Sequence, residues 1–244
     1  MGKPGGGTRR FTRLDAWDDA LYGRAVAGVL ADIERSLGPE VVANRAVVGP
    51  GRVPLVRPWR SERARFQRTL AAMLASEPRA TVVVTDVREC YPSIRPIGVS
   101  ARLQAFGCEP GAVDEVTAWL LEFADRGVAG LPIGPEASAI LANAVLAEGD
   151  QAAREAGIRF ARWVDDIVLV ARSRKQAIAG LDAVRRALAR SGLELHDSKT
   201  EVIRDPLERL PVLACRRVSF QRAGLAAIIA APCGASTEPR VYTL

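Results

Sequence analysis

Three aspartates stand out in this sequence because their placement suits metal-dependent chemistry. Asp86 directly follows the β-branched run at 81–85, and Asp165 and Asp166 lie about eighty residues further on, within an apolar stretch. Carboxylates gathered in one place repel each other and lose solvation, so they need compensation. Two Mg²⁺ ions about 3.5–4 Å apart would supply it, activating a hydroxyl group and stabilising a pyrophosphate leaving group. The pattern predicts a site for two Mg²⁺ ions, with Mn²⁺ as an alternative.

A purely structural role for these acids is the competing interpretation. Asp-Asp pairs are common, and the pair Asp18-Asp19 in this chain marks a predicted helix start, where negative charge suits the helix dipole. Asp165 and Asp166 differ because apolar residues bracket them closely on both sides. They are predicted at the tip of a β-hairpin, and only the fold decides whether Asp86 is their neighbour.

The elements that must position these acids alternate between strands and helices, which indicates an α/β or α+β class. Helical periodicity and turn residues predict helices over 17–37, from 61 onward, and over 112–125, 136–156 and 174–190. Strands are predicted over 81–85, 158–163, 167–171, 193–195 and 201–203, with a loop over 47–58.

Composition narrows the function classes. The 244 residues include 34 Lys and Arg against 28 Asp and Glu, and the net charge of +6 favours a polyanionic partner. The single histidine, His196, excludes a multi-histidine metal centre. The four cysteines are far apart in the sequence, which is typical of reduced cytosolic thiols. No apolar run is long enough to span a membrane and no signal peptide is visible, so we expect a cytoplasmic chain without membrane association.

Two segments around the aspartates resemble motifs of bacterial-type reverse transcriptases, namely the group II intron, retron and abortive-infection enzymes. Residues 86–91 resemble the first palm motif. The resemblance implies that Asp86 binds both metal ions, that Val87 offers its backbone carbonyl, and that Tyr91 lies under the sugar and favours dNTPs. Residues 162–166 resemble the Tyr-x-Asp-Asp hairpin, with tryptophan replacing tyrosine. It implies that Asp165 is the stronger metal ligand and Asp166 the auxiliary one.

Three further segments extend the resemblance over about residues 3–203. Residues 130–138 are similar to the second palm motif, which implies that Pro132 and Gly134 lie beside the nascent base pair. Ile133 stands where the family usually has glutamine, which weakens the case for conventional templated synthesis. Residues 192–200 resemble the motif whose lysine lies near the leaving phosphate, so Lys199 is a candidate general acid. We interpret His196 as incidental. The glycine turn before Arg9 and Arg10 resembles the fingers motif that grips the triphosphate.

The resemblance also implies an architecture. We expect an α+β fold with fingers and a palm, the palm being an antiparallel, ferredoxin-like sheet flanked by helices. Residues 1–79 would form the fingers-like region, 80–204 the palm, and 205–244 a short C-terminal extension with a primer-grip hairpin over 213–220. The 45 residues after Lys199 contain four prolines and are too few for a helical thumb. We therefore expect low processivity, or a protein or noncoding RNA partner that supplies the thumb function.

The leading hypothesis is an RNA-directed DNA polymerase that adds dNTPs to a 3′ end with two metal ions, in antiphage defence or a mobile element. Its partners would be an RNA or DNA template and primer, and an oligomer is compatible with the sequence. One alternative is a template-independent nucleotidyltransferase of the abortive-infection type. Another is a nucleic-acid-binding subunit with an idle palm. The arginine-rich stretch over 57–68 is either a solvated helix face or a track for the template backbone.

Overall fold

The structure is a computed structural model that describes residues 11–47 and 56–204. In chain order the helices are α1 (Ala16–Ala27), α2 (Leu30–Ser36), α3 (Trp59–Ser76), α4 (Cys90–Ser93), α5 (Pro96–Ala105), α6 (Pro110–Asp125), α7 (Glu136–Glu155) and α8 (Arg174–Arg190). The strands are β1 (Thr81–Asp86), β2 (Arg159–Trp163), β3 (Asp166–Ala171) and β4 (Glu201–Arg204), and a 3₁₀ turn, Asp197–Lys199, precedes β4.

The four strands form one antiparallel sheet in the order β2-β3-β1-β4. Helices lie between β1 and β2 and between β3 and β4, so the chain follows the β-α-β-β-α-β pattern of ferredoxin-like folds. This confirms the predicted α+β class with an antiparallel palm sheet flanked by helices. Strand β1 is central because it pairs with β3 on one side and β4 on the other.

Each face of the sheet is covered by helices. Val83, Leu169 and Phe160 point into the larger core, which also contains residues of α1, α2 and α5–α8. Val82, Val168 and Ala161 point to the opposite face, where Phe66, Leu70 and Leu74 of α3 cover them. Side chains alternate between the faces of a strand. Asp86 and Asp166 lie two residues from Val84 and Val168, and therefore belong to the face that α3 covers.

The aspartates at the start of α1 have the structural role expected of them. The Asp15 carboxylate caps the helix by accepting hydrogen bonds from the backbone N–H groups of Trp17 and Asp18. Asp18 and Asp19 then occupy the first turn, where the helix dipole favours negative charge. Asp18 also pairs with Arg126 of the α6 C-terminus at 2.8 Å.

Several predicted elements need correction. The region 17–37, predicted as one helix, forms two helices, because a turn at Gly28 and Val29 separates α1 from α2. The predicted strand over 193–195 contributes only one bridge, between Leu195 and Val87. Helices α4 and α5 were not predicted, since both are short and contain proline. The loop over 47–58 is described at residue 47 and from Val56 onward, and Val56 forms a bridge with Ala46.

Helices α1 and α2 share the larger core with the sheet, so the region before α3 packs directly on the palm. The boundaries at residues 79 and 204 stay predictions. Cys90 and Cys108 are free thiols, and both are buried. Among the helices in the described ranges, none combines the length and the apolar character that crossing a bilayer requires.

Candidate active site

Asp86 and Asp166 are direct neighbours on adjacent strands. They are opposite each other in the β1–β3 register, where facing Cβ atoms are typically about 4.5–5.5 Å apart. Asp165 joins them from the β2–β3 turn, because its carbonyl accepts a hydrogen bond from the Val87 N–H at 3.2 Å. The structure therefore brings the three predicted aspartates and Val87 together at one end of the sheet, where β1 ends and β3 begins.

A two-residue turn, Val164 and Asp165, joins β2 to β3, and the register pairs Trp163 with Asp166. Val164 has a φ of 57°, in the left-handed region that β-branched residues rarely adopt. Such a conformation costs about 1–3 kcal/mol and persists only where surrounding contacts hold it. We call this segment, residues 159–171, the catalytic hairpin.

Arg162 supplies those contacts from inside the protein. Its side chain is fully buried and donates two hydrogen bonds to the Asp150 carboxylate, at 2.8 and 2.7 Å. It also donates to Oδ1 of Asn143 and to the Val164 carbonyl, each at 2.8 Å. Sequence reasoning assigned no role to Arg162. The signal was present, because a charged residue within a buried strand requires a partner of opposite charge.

Two carboxylates of this group lie in unfavourable surroundings. Burial, reinforced by the charges of Asp165 and Asp86, raises the pKa of Asp166 to about 8. Oδ1 of Asp86 is buried and has no hydrogen-bond partner. A buried carboxylate oxygen without a partner costs free energy, and a bound cation would remove that cost.

Lys199 lies against the same acids and forms an ion pair with Oδ2 of Asp86. The segment that carries Lys199 is joined to the end of β1, since the His196 N–H donates to the Asp86 carbonyl at 2.8 Å. The hydroxyl groups of Thr200 and Thr85 are also hydrogen-bonded, at 2.7 Å. The His196 ring contacts only the Ser198 hydroxyl, at 3.1 Å, among the hydrogen bonds of the described residues.

The acids are close together, but their side chains are not arranged as a finished metal site. Within residues 11–47 and 56–204, no three His, Cys, Asp or Glu side chains form a metal-ligating group. Oδ2 of Asp86 instead faces the Lys199 ammonium. The donor set nevertheless fits a divalent cation, because carboxylate and carbonyl oxygens are the ligands of Mg²⁺ and one Asp86 oxygen lacks any partner.

Tyr91 lies beside these acids on α4, half-buried against the larger core. Burial is the main cause that raises its pKa, and the nearby Asp165 charge adds to it, so its hydroxyl group stays neutral. The Tyr91 carbonyl accepts a hydrogen bond from the Leu131 N–H at 2.9 Å. Gly130 has a φ of 65°, and a Cβ there would lie 2.3 Å from the Tyr91 carbonyl oxygen. This glycine therefore lets the loop before α7 close tightly on α4.

The other predicted binding residues are more scattered. Pro132 is buried, whereas Gly134 is exposed and lies near Thr12, whose N–H donates to the Ile133 carbonyl at 2.9 Å. Gly130 packs against the protein's own backbone, and Gly134, with a φ of 137°, also has a conformation that favours glycine. Arg9, Arg10 and the predicted hairpin over 213–220 lie outside the described residues.

The arginine-rich stretch over 57–68 begins just before α3 and continues into it, and its five arginines are of three kinds. Arg57 and Arg65 pair with Glu34 and Glu62, at 3.4 and 2.8 Å. Arg63 lies over the Trp163 ring, with its guanidinium carbon 5.5 Å from the ring centroid. Burial lowers the pKa of Arg63 to about 10, and the Asp166 charge partly offsets that effect. The remaining two, Arg60 and Arg68, are exposed.

Comparison with known proteins identifies a family. A profile described as reverse transcriptase (RNA-dependent DNA polymerase) matches residues 42–220. A search of curated proteins finds no match. Among solved structures, telomerase from Candida albicans in complex with a TWJ fragment of telomeric RNA is 12% identical, with a TM-score of 0.47, over 75% of this chain and 34% of that chain. Apo telomerase from Candida tropicalis, truncated from its C-terminal domain, is 13% identical, with a TM-score of 0.49, over 79% and 44%. This chain spans less than half of either telomerase chain.

Proposed function

Because the chain belongs to the reverse transcriptase family, we propose that it is a polymerase that adds deoxynucleotides to the 3′ end of a nucleic acid. The observation that carries this proposal is the cross-strand pairing of Asp86 with Asp166, next to Asp165. The raised pKa of Asp166 and the unpartnered Oδ1 of Asp86 support a role for these acids in holding a cation. Divalent cations held by these acids would suit the transfer of a nucleotide, because they would offset the negative charge of its transition state.

In this mechanism Asp86, Asp165 and Asp166 would hold Mg²⁺, or Mn²⁺ in its place, and Val87 would add its backbone carbonyl. The bound ions would activate the 3′ hydroxyl group and stabilise the pyrophosphate leaving group. The turn conformation at Val164 and the β1–β3 register keep the acids together at the end of the sheet before substrate arrives. The acids therefore need no reorganisation during the reaction.

Lys199 and Tyr91 have separate roles next to the acids in this proposal. Lys199 carries a proton on Nζ, and we assign to it the donation of that proton to the departing pyrophosphate. Its position beside Asp86 supports this assignment. Tyr91 would exclude a 2′ hydroxyl group by its ring, because its backbone is held against the Leu131 N–H and its hydroxyl group stays neutral.

The partner we propose is an RNA or DNA primer–template, held in part by the exposed arginines of α3. Arg60 and Arg68 lie on the helix that covers the face of Asp86 and Asp166. Exposed guanidinium groups suit contact with phosphates. A bacterial-type enzyme in antiphage defence or a mobile element, working in the cytoplasm, is the setting that we propose from the sequence motifs.

Template-independent addition is the second candidate, and Ile133 is the observation that favours it. This residue replaces the glutamine expected in the motif, and its carbonyl is bonded to the Thr12 N–H. Its apolar side chain offers no hydrogen bond to a template base.

The test is primer extension by the full chain with Mg²⁺ and dNTPs, on RNA templates, on DNA templates and without a template. Asp165→Asn should lower extension by at least about 10²-fold, whereas Asp182→Asn, on α8, serves as the matched control and should leave it unchanged. Extension that needs no template would support the second candidate. Equal extension by wild type and Asp165→Asn, or none with any substrate, would reject a catalytic role for the site.

A further inference from the structure

A buried polar cluster lies directly behind the catalytic hairpin. Its members are Arg162 on β2 and Asn143 and Asp150 on α7. All three side chains are buried, between 0 and 2% exposed. Asn143 and Asp150 are seven residues apart, so they lie on one face of α7. We call this set the Arg162 cluster.

One of the four hydrogen bonds from Arg162 leaves the cluster and reaches the turn. Nη1 donates to the Val164 carbonyl at 2.8 Å. That carbonyl belongs to the same planar peptide as the N–H of Asp165, so fixing the carbonyl also fixes the direction in which the chain enters Asp165. The bond acts at the residue whose φ of 57° most needs support.

A second set of contacts joins the cluster to the segment over 40–46. The Asn143 side chain donates from Nδ2 to the carbonyls of Ala43 and Asn44, at 3.0 and 3.2 Å. The Arg162 backbone accepts from the Val42 N–H at 3.0 Å and donates to the Glu40 carbonyl at 2.9 Å. The cluster is therefore joined to the segment over 40–46 as well as to the turn.

A role in stability alone does not account for this construction. Replacing a buried ion pair with apolar residues of similar volume is often neutral or stabilising, so a core of this kind does not require one. What a guanidinium adds is direction, because its planar fork holds several acceptors in one geometry. Here those acceptors include the carbonyl of Val164, in the turn that carries Asp165.

We propose that Arg162 is a positioning residue, which orients Asp165 and Asp166 towards Asp86 by holding the Val164 carbonyl. This inference deepens the proposed function and rests on it for its catalytic consequence. Asp150 and Asn143 hold the guanidinium in place. The three residues contact neither the nucleotide nor the reacting atoms in this assignment.

The test compares Arg162→Lys with wild type and with Arg102→Gln. Lysine keeps the charge but lacks the planar fork, so it cannot make the four hydrogen bonds. Arg102→Gln is the matched control, because it removes an arginine–carboxylate pair with Glu148 of the same helix α7, at 3.5 Å, without touching the hairpin. The full chain is used throughout, below the melting temperature of each variant.

Three measurements are made on each protein. Hydrogen exchange of peptides covering 162–168 should be at least about tenfold faster in Arg162→Lys. Mn²⁺ binding, followed by electron paramagnetic resonance, should be about tenfold weaker. The kcat should fall by about 10²-fold, as expected when catalytic groups are misplaced by about 1 Å, whereas the KM for dNTP should stay within about threefold. Arg102→Gln should match wild type in all three.

The double variant Arg162→Met with Asp150→Leu separates positioning from stability. Removing both charges should restore much of the stability that Arg162→Met alone loses. The Val164 carbonyl stays unheld, so fast exchange at the turn and weak Mn²⁺ binding should persist. Recovery of Mn²⁺ binding together with stability would overturn the proposal, as would unchanged exchange in Arg162→Lys.

Failure of the proposed function has a different outcome. Wild type would then neither bind Mn²⁺ nor extend a primer, whereas the exchange measurement would still decide whether Arg162 orders the turn. Slow exchange in wild type that becomes fast only in the Arg162 variants supports the positioning role in that case too.

Discussion

The Lys199 ammonium group pairs with the Asp86 carboxylate, although 113 residues separate the two in sequence. Asp86 ends the central strand, and the segment before β4 returns to that end through the bond between the His196 N–H and the Asp86 carbonyl. The pair places the half-exposed ammonium group of Lys199 against an acid that we propose as a metal ligand. Lysine and metal ion should therefore compete for Asp86.

Lys199→Gln should strengthen Mn²⁺ binding while it weakens catalysis. Removing a half-exposed cation beside Asp86 should tighten binding by about threefold to fivefold, in line with the modest energy of exposed pairs. Loss of the proton donor should lower kcat by about 10²-fold or more. Lys175→Gln removes the same charge at the opposite end of the sheet and serves as the control. Unchanged Mn²⁺ affinity in Lys199→Gln would contradict the competition.

Without divalent cations, the free energy of unfolding should fall as pH rises from about 4 to about 8. The pKa of Asp166 is raised from 3.8 to about 8, so the folded protein binds this proton more tightly than the unfolded chain. Below about pH 4 both states are protonated, and above about pH 8 both are ionised. Between these limits the unfolded chain loses its proton first, which favours unfolding by at most about 1.4 kcal/mol per pH unit.

Urea unfolding in EDTA at pH 5 and pH 8 measures this dependence. Asp166→Asn should show a shallower dependence than wild type, and Asp182→Asn should match wild type. Adding Mg²⁺ should reduce the loss of stability at pH 8, since a cation stabilises the ionised acid. An identical pH dependence in wild type and Asp166→Asn would show that the pKa of Asp166 is not raised in the folded protein.

Gly130→Ala should destabilise the protein more than Gly127→Ala. Both glycines have positive φ, at 65° and 83°, so both substitutions carry the backbone cost of about 1–2 kcal/mol. Only the Cβ at position 130 meets backbone, at 2.3 Å from the Tyr91 carbonyl oxygen, whereas position 127 has open space. We expect a further loss of about 1–3 kcal/mol for Gly130→Ala, from chemical denaturation. Equal losses would mean that the loop moves freely away from α4.

Arg60→Gln combined with Arg68→Gln should weaken binding to single-stranded RNA and flatten its salt dependence. Each phosphate contact contributes about 0.7 to the slope of log K against log salt for single strands, so two contacts account for about 1.4. Fluorescence anisotropy over a range of KCl concentrations measures the slope. Arg186→Gln with Arg190→Gln makes the same charge change on α8, across the sheet, and should keep the wild-type slope. A similar loss in both double variants would indicate a diffuse charge effect.

Much of the fold could be predicted where local signals agree. Helix α8 has the predicted bounds because Ser173 caps its start, with the Gln176 N–H donating to its hydroxyl group at 3.2 Å. The β-branched run before Asp86 forms the central strand, as predicted. Helices α4 and α5 escaped prediction because short, proline-containing helices have little periodicity of their own and depend on tertiary packing.

The acidic residues of the candidate site could be predicted from the sequence, but the contacts that hold them in place could not. A strand end and a hairpin tip pointed to the three aspartates, whereas their adjacency depends on the β1–β3 register, which is a long-range property. The partners of Arg162 lie on a helix, so its role appears only once α7 is packed behind β2. The ion pair of Lys199 likewise depends on where β4 returns.

Because β1 is the central strand, the position of Asp86 depends on the stability of the whole domain. Asp86 ends the strand that is paired on both sides, and such strands open only when the cooperative unit unfolds. The bond from the His196 N–H to the Asp86 carbonyl, at 2.8 Å, opposes fraying at this end of β1. Heat inactivation should therefore coincide with global melting rather than precede it.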